Sequence, residues 1–141
     1  MPDIVKNIEQ VLMRIRRAAQ EIGRDPTAIK MVAVTKTVDA QLIRKAVAGG
    51  LDCFGENYVQ EAREKIEKLA DCYVFWHFIG HLQSNKARDV VDRVAYVHSV
   101  DRRSVMKQLN KRTDSTVDVL LQINIAEQDS KSGVSPEELE D

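Results

Sequence analysis

The chain alternates between short apolar segments and segments with helical spacing along its whole length. Five of the apolar segments have the composition of strands, rich in β-branched and aromatic residues. They fall at 31–35, "DCFG" (52–55), "YVFWHFIG" (73–80), "VAYVHSV" (94–100) and "VDVLLQINIA" (117–126). Strands that alternate with helices predict βα units and a parallel sheet with right-handed crossovers.

The predicted helices lie between these strands. They cover 3–22, 39–49, 57–70, 84–93 and 101–112. Asp39 and Asp101 are placed to cap the second and the last of these helices, and Gly23 is placed to end the first. Ser135 and Glu138 have the spacing of a capping box, which predicts that another helix begins there.

Two α/β architectures fit this order of elements. One is an open doubly wound sheet, and the other is part of the wall of a (β/α) barrel. A complete eight-stranded barrel typically takes about 250 residues, whereas this chain has 141. We therefore expect a single domain over residues 1–141 that is either an open sheet or an incomplete barrel of about five parallel strands.

Charge and composition exclude several classes of function. Lys and Arg number 21 against 22 Asp and Glu, which argues against a general binder of nucleic acid or of anionic membranes. The N-terminal segment has no apolar signal region, and no apolar run approaches the roughly 20 residues of a membrane helix. Cys53 and Cys72 match no zinc or redox spacing, so we expect reduced thiols in a cytoplasmic protein.

Polar or glycine-rich residues follow every predicted strand, at the edge where active groups gather in parallel α/β folds. The first strand ends at Lys36, and "GEN" (55–57) and "GHLQSNK" (80–86) follow the next two. Strand alternation would place Val34 and Lys36 on one face. A lysine with a lowered pKa is a nucleophile that attacks aldehydes to form a Schiff base. A strand-end lysine that reaches water is the alternative.

Other polar and aromatic residues point less clearly to chemistry. His77 and His81 are four apart, but this stretch is predicted to be a strand and its exit loop, so a zinc pair is not expected. His98 is expected to be a hydrogen-bonded histidine near a strand end. Trp76 and Phe78 are expected in the core.

Five segments of the chain resemble one family in order and spacing, the pyridoxal phosphate (PLP) homeostasis proteins. They are "VAVTKT" (32–37), "FGENYVQE" (54–61), "WHFIGHLQSNK" (76–86), "HSVD" (98–101) and "LLQINIAEQDSKSGV" (120–134). The resemblance runs over essentially the whole chain.

The resemblance implies a barrel of the alanine-racemase N-terminal type that holds PLP as a Schiff base. The lysine that ends the first strand carries the cofactor in this family, which corresponds here to Lys36. Asn57 falls at the next strand end, and His81, Ser84 and Lys86 are weaker candidates for the same cofactor-binding rim. The family is regarded as regulatory, in that it buffers or delivers PLP without an established catalytic reaction.

Members of this family are longer than this chain, and their phosphate-binding serine, glycine and arginine motifs lie in the later part of the sequence. The resemblance therefore implies that the phosphate-binding part of the site is missing here. The first and fifth strands would be exposed edges, and exposed edges invite pairing between chains. We expect self-association through these edges.

Three alternatives remain open at this point. A PLP-dependent racemase needs a second acid or base across the cofactor from the lysine, and Tyr58 begins a predicted helix instead. A Schiff-base aldolase would need a base near Lys36, for which Glu56 is the obvious candidate. A truncated fragment that binds no cofactor is the third alternative.

Overall fold

Five parallel strands form a single sheet in chain order in the computed structural model, which describes residues 3–113 and 116–139. The strands are β1 (Ala33–Val34), β2 (Cys53–Glu56), β3 (Phe75–Phe78), β4 (Tyr96–Val100) and β5 (Asp118–Leu121). Each strand pairs in parallel with the next one along the chain. The predicted parallel sheet is therefore confirmed, although β1 is shorter than the predicted 31–35, because only Ala33 and Val34 pair regularly with β2.

Four α-helices connect or precede these strands. They are α1 (Ile4–Glu21), α2 (Ala40–Ala48), α3 (Val59–Lys68) and α4 (Arg103–Arg112). The Asp39 side chain accepts a hydrogen bond from the Gln41 N–H at 2.7 Å, so the predicted cap of α2 is confirmed. Gly23 follows the end of α1 with φ 68°, a conformation in which glycine has no steric penalty.

Two local predictions are wrong. The segment predicted as a helix over 84–93 contains a 3₁₀ helix at Ser84–Asp89 instead. Asp101 does not cap α4, because the cap position belongs to Arg102, whose side chain binds the Asp101 carboxylate. The acceptor that would serve the helix is therefore engaged by a guanidinium.

The predicted capping box near the end of the chain is confirmed. The Ser135 N–H donates to the Glu138 carboxylate at 2.9 Å, and the Glu138 N–H lies 3.3 Å from the Ser135 hydroxyl. The turn that follows is a short 3₁₀ helix at Glu137–Leu139. The predicted helix would continue into residues 140 and 141, which lie outside the described residues.

The helices cover one face of the sheet and create two adjoining apolar clusters. One cluster joins Phe54 and Trp76 to residues of α1 and α2, among them Ile8 and Ile43. The other contains Phe78, Leu82, Ala87, Val90, Val91, Val97, Val100, Val105 and Leu109. Trp76 and Phe78 are buried, as predicted. Because β3 side chains alternate, these two define the helix-covered face, and His77 between them belongs to the opposite, inner face.

Apolar side chains remain exposed at the β5 edge of the sheet. Leu120 and Leu121 on β5 are each about half exposed, and Ile125 in the following loop is 82% exposed. β1 is the other outer strand. No helix among residues 3–113 and 116–139 is long and apolar enough to cross a bilayer.

A close approach at Gly80 packs the segment after β3 against the residue after β2 and against β4. A Cβ atom at Gly80 would lie 2.0 Å from the Asn57 carbonyl oxygen, inside any allowed contact distance. The Gly80 carbonyl in turn accepts a hydrogen bond from the Ser99 hydroxyl of β4. The position therefore requires glycine because of backbone packing.

We predict that Gly80→Ala destabilises the fold by at least about 3 kcal/mol, because the neighbouring atoms are backbone and cannot rotate away. Gly23→Ala is the matched control. Its Cβ would meet nothing within 4 Å, and only the positive φ opposes it, so we expect a loss of about 1–2 kcal/mol. Urea unfolding of both variants measures the difference. Equal losses would contradict the assignment of Gly80 to a steric role.

Candidate functional site

Lys36 lies in a tight turn between β1 and α2, at the carboxyl edge of the sheet. The Val38 N–H donates to the Thr35 carbonyl at 3.0 Å, which closes a β-turn over residues 35–38, called here the Lys36 turn. The Lys36 side chain is exposed and has no hydrogen bond or ion pair to the described residues. The alternation of side chains along β1 therefore stops before Lys36, and the conformation of the turn determines where the Lys36 side chain points.

Thr37 adopts an unusual backbone conformation within this turn. Its φ is 61°, in the left-handed region, which is uncommon for a β-branched residue and costs about 1–2 kcal/mol. Its N–H donates to the Glu61 carboxylate of α3 at 2.9 Å. This hydrogen bond, followed by one from Lys65, lowers the pKa of Glu61 and favours its charged form.

A buried lysine holds the other side of the Lys36 turn. Lys65 Nζ donates to the Thr35 carbonyl at 2.6 Å, to Glu56 Oε1 at 2.8 Å and to Glu61 Oε2 at 3.0 Å. We call these four residues the Lys65 network. All three ammonium protons are used, as burial of a charged amine requires.

Glu56 is the buried anion of the Lys65 network. Its side chain is 1% exposed, Oε1 also accepts the Thr35 hydroxyl at 2.6 Å, and Oε2 has no partner among the described residues. A carboxylate so enclosed and so paired has no open approach for a substrate. The aldolase alternative, which needs Glu56 as a base, therefore has no support in this geometry.

The remaining predicted rim residues divide between two places. Asn57 is half-buried directly after β2, where Gly80 packs on its backbone. Ser84 donates to the Ser104 hydroxyl of α4 at 3.2 Å, and Lys86 is exposed on the 3₁₀ helix. No hydrogen bond among the described residues joins these side chains to one another or to Lys36.

His81 is exposed and faces two other groups at the same edge of the sheet. Its Nδ1 lies 3.5 Å from Asp101 Oδ2 and 3.4 Å from the Ser132 hydroxyl. Both approach the same ring nitrogen, whereas a nucleophilic triad needs serine and carboxylate on different nitrogens. The arrangement joins the loop after β3 to the loop after β5. A cavity of ≈ 370 Å³ lies in this second loop, lined by residues 122–126, Lys131 and Ser132.

Two histidines meet on the inner face of the sheet. His77 Nδ1 lies 2.8 Å from His98 Nε2, and the His77 ring also stacks on Tyr96 at 5.1 Å. The expectation that His98 is hydrogen-bonded is confirmed, and its partner is a histidine from the next strand. Burial lowers the pKa of both imidazoles, and the His98 charge lowers the pKa of His77 further.

We predict that the free energy of unfolding decreases as the pH falls below about 6.5. Each of these two histidines binds a proton less readily when folded, so the unfolded state gains protons first and is favoured by acid. His98→Gln should reduce this slope. His81→Gln, at an exposed imidazole, is the control. Urea unfolding between pH 5 and 8 gives the slopes, and an unchanged slope in His98→Gln would refute the prediction.

The sequence reasoning did not identify Glu61, Lys65 or the histidine pair. The four-residue spacing of Glu61 and Lys65 on a helix is a signal for their mutual ion pair. It does not reveal that Lys65 also reaches the Lys36 turn and β2. The histidine pair depends on the register of two strands 21 residues apart, and the sequence does not specify that register.

Comparison with known proteins identifies relatives over nearly the whole chain. A pyridoxal phosphate homeostasis protein from Pseudomonas aeruginosa is 46% identical over an alignment of 142 positions that covers 99% of this chain and 62% of that protein. The Escherichia coli protein of the same name is 42% identical over 147 residues, 100% of this chain and 63% of that protein. The chain thus spans about three fifths of the length of these curated relatives, and the resemblance drawn from the motifs is confirmed.

Solved structures support the same relationship. PipY of Synechococcus elongatus, in a structure with PLP bound, is 32% identical with a TM-score of 0.73. The match covers 89% of this chain and 59% of that one. A sequence profile of the alanine racemase N-terminal domain matches residues 7–141. Together with the chain-ordered parallel strands, the profile confirms the predicted partial barrel, so the chain belongs to the alanine racemase N-terminal domain family.

Proposed function

We propose that this chain binds pyridoxal phosphate and takes part in PLP homeostasis in the cytoplasm, with Lys36 as the residue that captures the cofactor. The observation that carries the proposal is the exposed Lys36 amine, on a turn held from both sides at the carboxyl edge of the sheet. The curated relatives bear this function in their names, and PipY has a structure with PLP bound.

The chain's residues fit such a cofactor in one respect in particular. PLP supplies an aldehyde, whose carbon a primary amine attacks to form a C=N bond with loss of water. Lys36 provides an exposed amine that no described carboxylate neutralises, and the hydrogen bond from the Val38 N–H to the Thr35 carbonyl closes the turn that carries it. Asn57 follows the neighbouring strand and is available to line the cofactor.

The other rim residues would act at the far side of the same edge. His81 and Ser84 lie beside β4 and α4, where Asp101 and Ser104 hold them, and Lys86 offers an exposed cation. We propose these three as weaker contributors to cofactor binding.

The free cysteines agree with the proposed cytoplasmic location. Cys53 and Cys72 are both free thiols in the structure. Burial raises the pKa of the Cys53 thiol to about 11, so it stays protonated and unreactive at neutral pH. Reduced cysteines are the usual state in that compartment.

We also propose that residues 1–141 act as one incomplete barrel domain that associates through its sheet edges. Two adjoining apolar clusters on one sheet support the single domain. The exposed apolar residues of β5 and the unpaired backbone groups of an outer strand favour pairing between chains.

We predict selective labelling of Lys36 when the purified chain is mixed with PLP and reduced with borohydride. Peptide mass spectrometry should find the modified amine at Lys36, and Lys36→Ala should abolish this signal. Lys45→Ala, at an exposed lysine on α2, is the matched control and should leave it unchanged. Labelling that is scattered over many lysines and unaltered in Lys36→Ala would refute the proposed function.

We predict that Leu120→Lys shifts the chain toward the monomer, because a charge on an outer strand opposes edge pairing. Met13→Lys on α1 replaces an exposed apolar residue away from the sheet, 62% exposed against 49% for Leu120, and should not change association. Light scattering coupled to gel filtration gives the mass. A wild-type chain that is monomeric at high concentration would contradict edge association.

A further inference from the structure

We infer that Glu61 and Lys65 are positioning residues for Lys36, acting through the backbone of the Lys36 turn. This inference rests on the proposed function, because it concerns the same amine. Neither side chain contacts Lys36 itself in the structure. Their contacts instead fix the peptide groups on either side of it.

The two contacts bracket Lys36 in the sequence. On the N-terminal side, Lys65 Nζ binds the Thr35 carbonyl at 2.6 Å. On the C-terminal side, Glu61 accepts the Thr37 N–H at 2.9 Å. Glu61 and Lys65 are themselves joined at 3.0 Å and lie one helical turn apart on α3. A single rigid helix therefore holds both ends of a three-residue segment whose central residue is Lys36.

The conformation of Thr37 makes this support necessary. A threonine with φ 61° is disfavoured on its own, and such strained residues persist where surrounding structure holds them. The Glu61 hydrogen bond involves a charged acceptor, which makes it stronger than a neutral one. The lowered pKa of Glu61 agrees with that charge being retained near neutral pH.

Burial makes the arrangement rigid. The Lys65 side chain is 9% exposed, and its ammonium has three partners, one of them the buried Glu56. Moving Lys65 would leave a buried charge unpaired, so the network has one arrangement rather than several. A fixed backbone lowers the entropic cost of a reaction at the end of a long, flexible side chain, because fewer orientations are lost when the amine reacts.

We expect Glu61→Ala to raise the PLP concentration for half-labelling of Lys36 by about tenfold, since one charge-assisted hydrogen bond is lost. Labelling of other exposed lysines serves as the internal reference and should not change. Glu64→Ala is the matched control, because Glu64 is exposed on the same helix and its carboxylate accepts a hydrogen bond from the Gln60 side chain rather than from the Lys36 turn. Glu61→Gln, which keeps an oxygen acceptor for the Thr37 N–H, should restore most of the wild-type labelling.

A double-mutant cycle with Thr37→Gly separates positioning from general stability. Glycine adopts a positive φ without support, so Glu61→Ala should have a smaller effect on labelling in the Thr37→Gly background. A purely structural role for Glu61 would give the same effect in both backgrounds and would overturn the inference. A Glu61→Ala variant that stays folded and is labelled by PLP at Lys36 as readily as the wild type would also overturn the inference.

Amide hydrogen exchange tests the inference without relying on cofactor binding. The Thr37 amide should be protected in the wild-type chain, keep most of that protection in Glu61→Gln, and lose it by about threefold or more in Glu61→Ala. An unprotected Thr37 amide in the wild type overturns the inference even if Glu61→Ala fails to fold. If the Thr37 amide of the wild-type chain is protected but PLP does not label Lys36, the proposed function is refuted. The inferred support of the turn is then still intact.

Discussion

The buried ammonium of Lys65 is the interaction on which the described site depends. A lysine with 9% of its side chain exposed is stable as a cation only if each proton has a partner, and here the partners come from the Lys36 turn, β2 and α3. Removing one partner from a buried pair of this kind usually costs about 3–5 kcal/mol. Because the ammonium needs all three acceptors, the network fixes α3, the end of β2 and the Lys36 turn relative to one another.

The two faces of the sheet serve different purposes. The helix-covered face carries the apolar clusters around Phe54 and Phe78, which supply the hydrophobic stabilisation of the fold. The inner face carries polar groups, with His77 and His98 in contact at 2.8 Å. Lys36 lies at the carboxyl edge where these faces meet. A rigid apolar layer on one side thus leaves chemistry-bearing residues accessible on the other and at the edge.

Local patterns in the sequence predicted most of the fold and part of the candidate site. Alternating periodicities gave the parallel strands and the family motifs pointed to Lys36, because both are encoded in neighbouring residues. Asp101 failed as a helix cap since a neighbouring Arg102 competes for its carboxylate. Lys65 was overlooked because its partners lie up to 30 residues away, and a single sequence carries no signal for such a three-way contact.

The chain order of the strands sets the distance in sequence between paired residues. Every strand after β1 pairs with the strand that precedes it in the chain, and the paired residues lie 19 to 22 positions apart. The hydrogen bonds described above for the Lys36 turn all join residues between 35 and 65. They need no partner from β3, β4 or β5, so the support of this amine is a local property of the segment from β1 to α3.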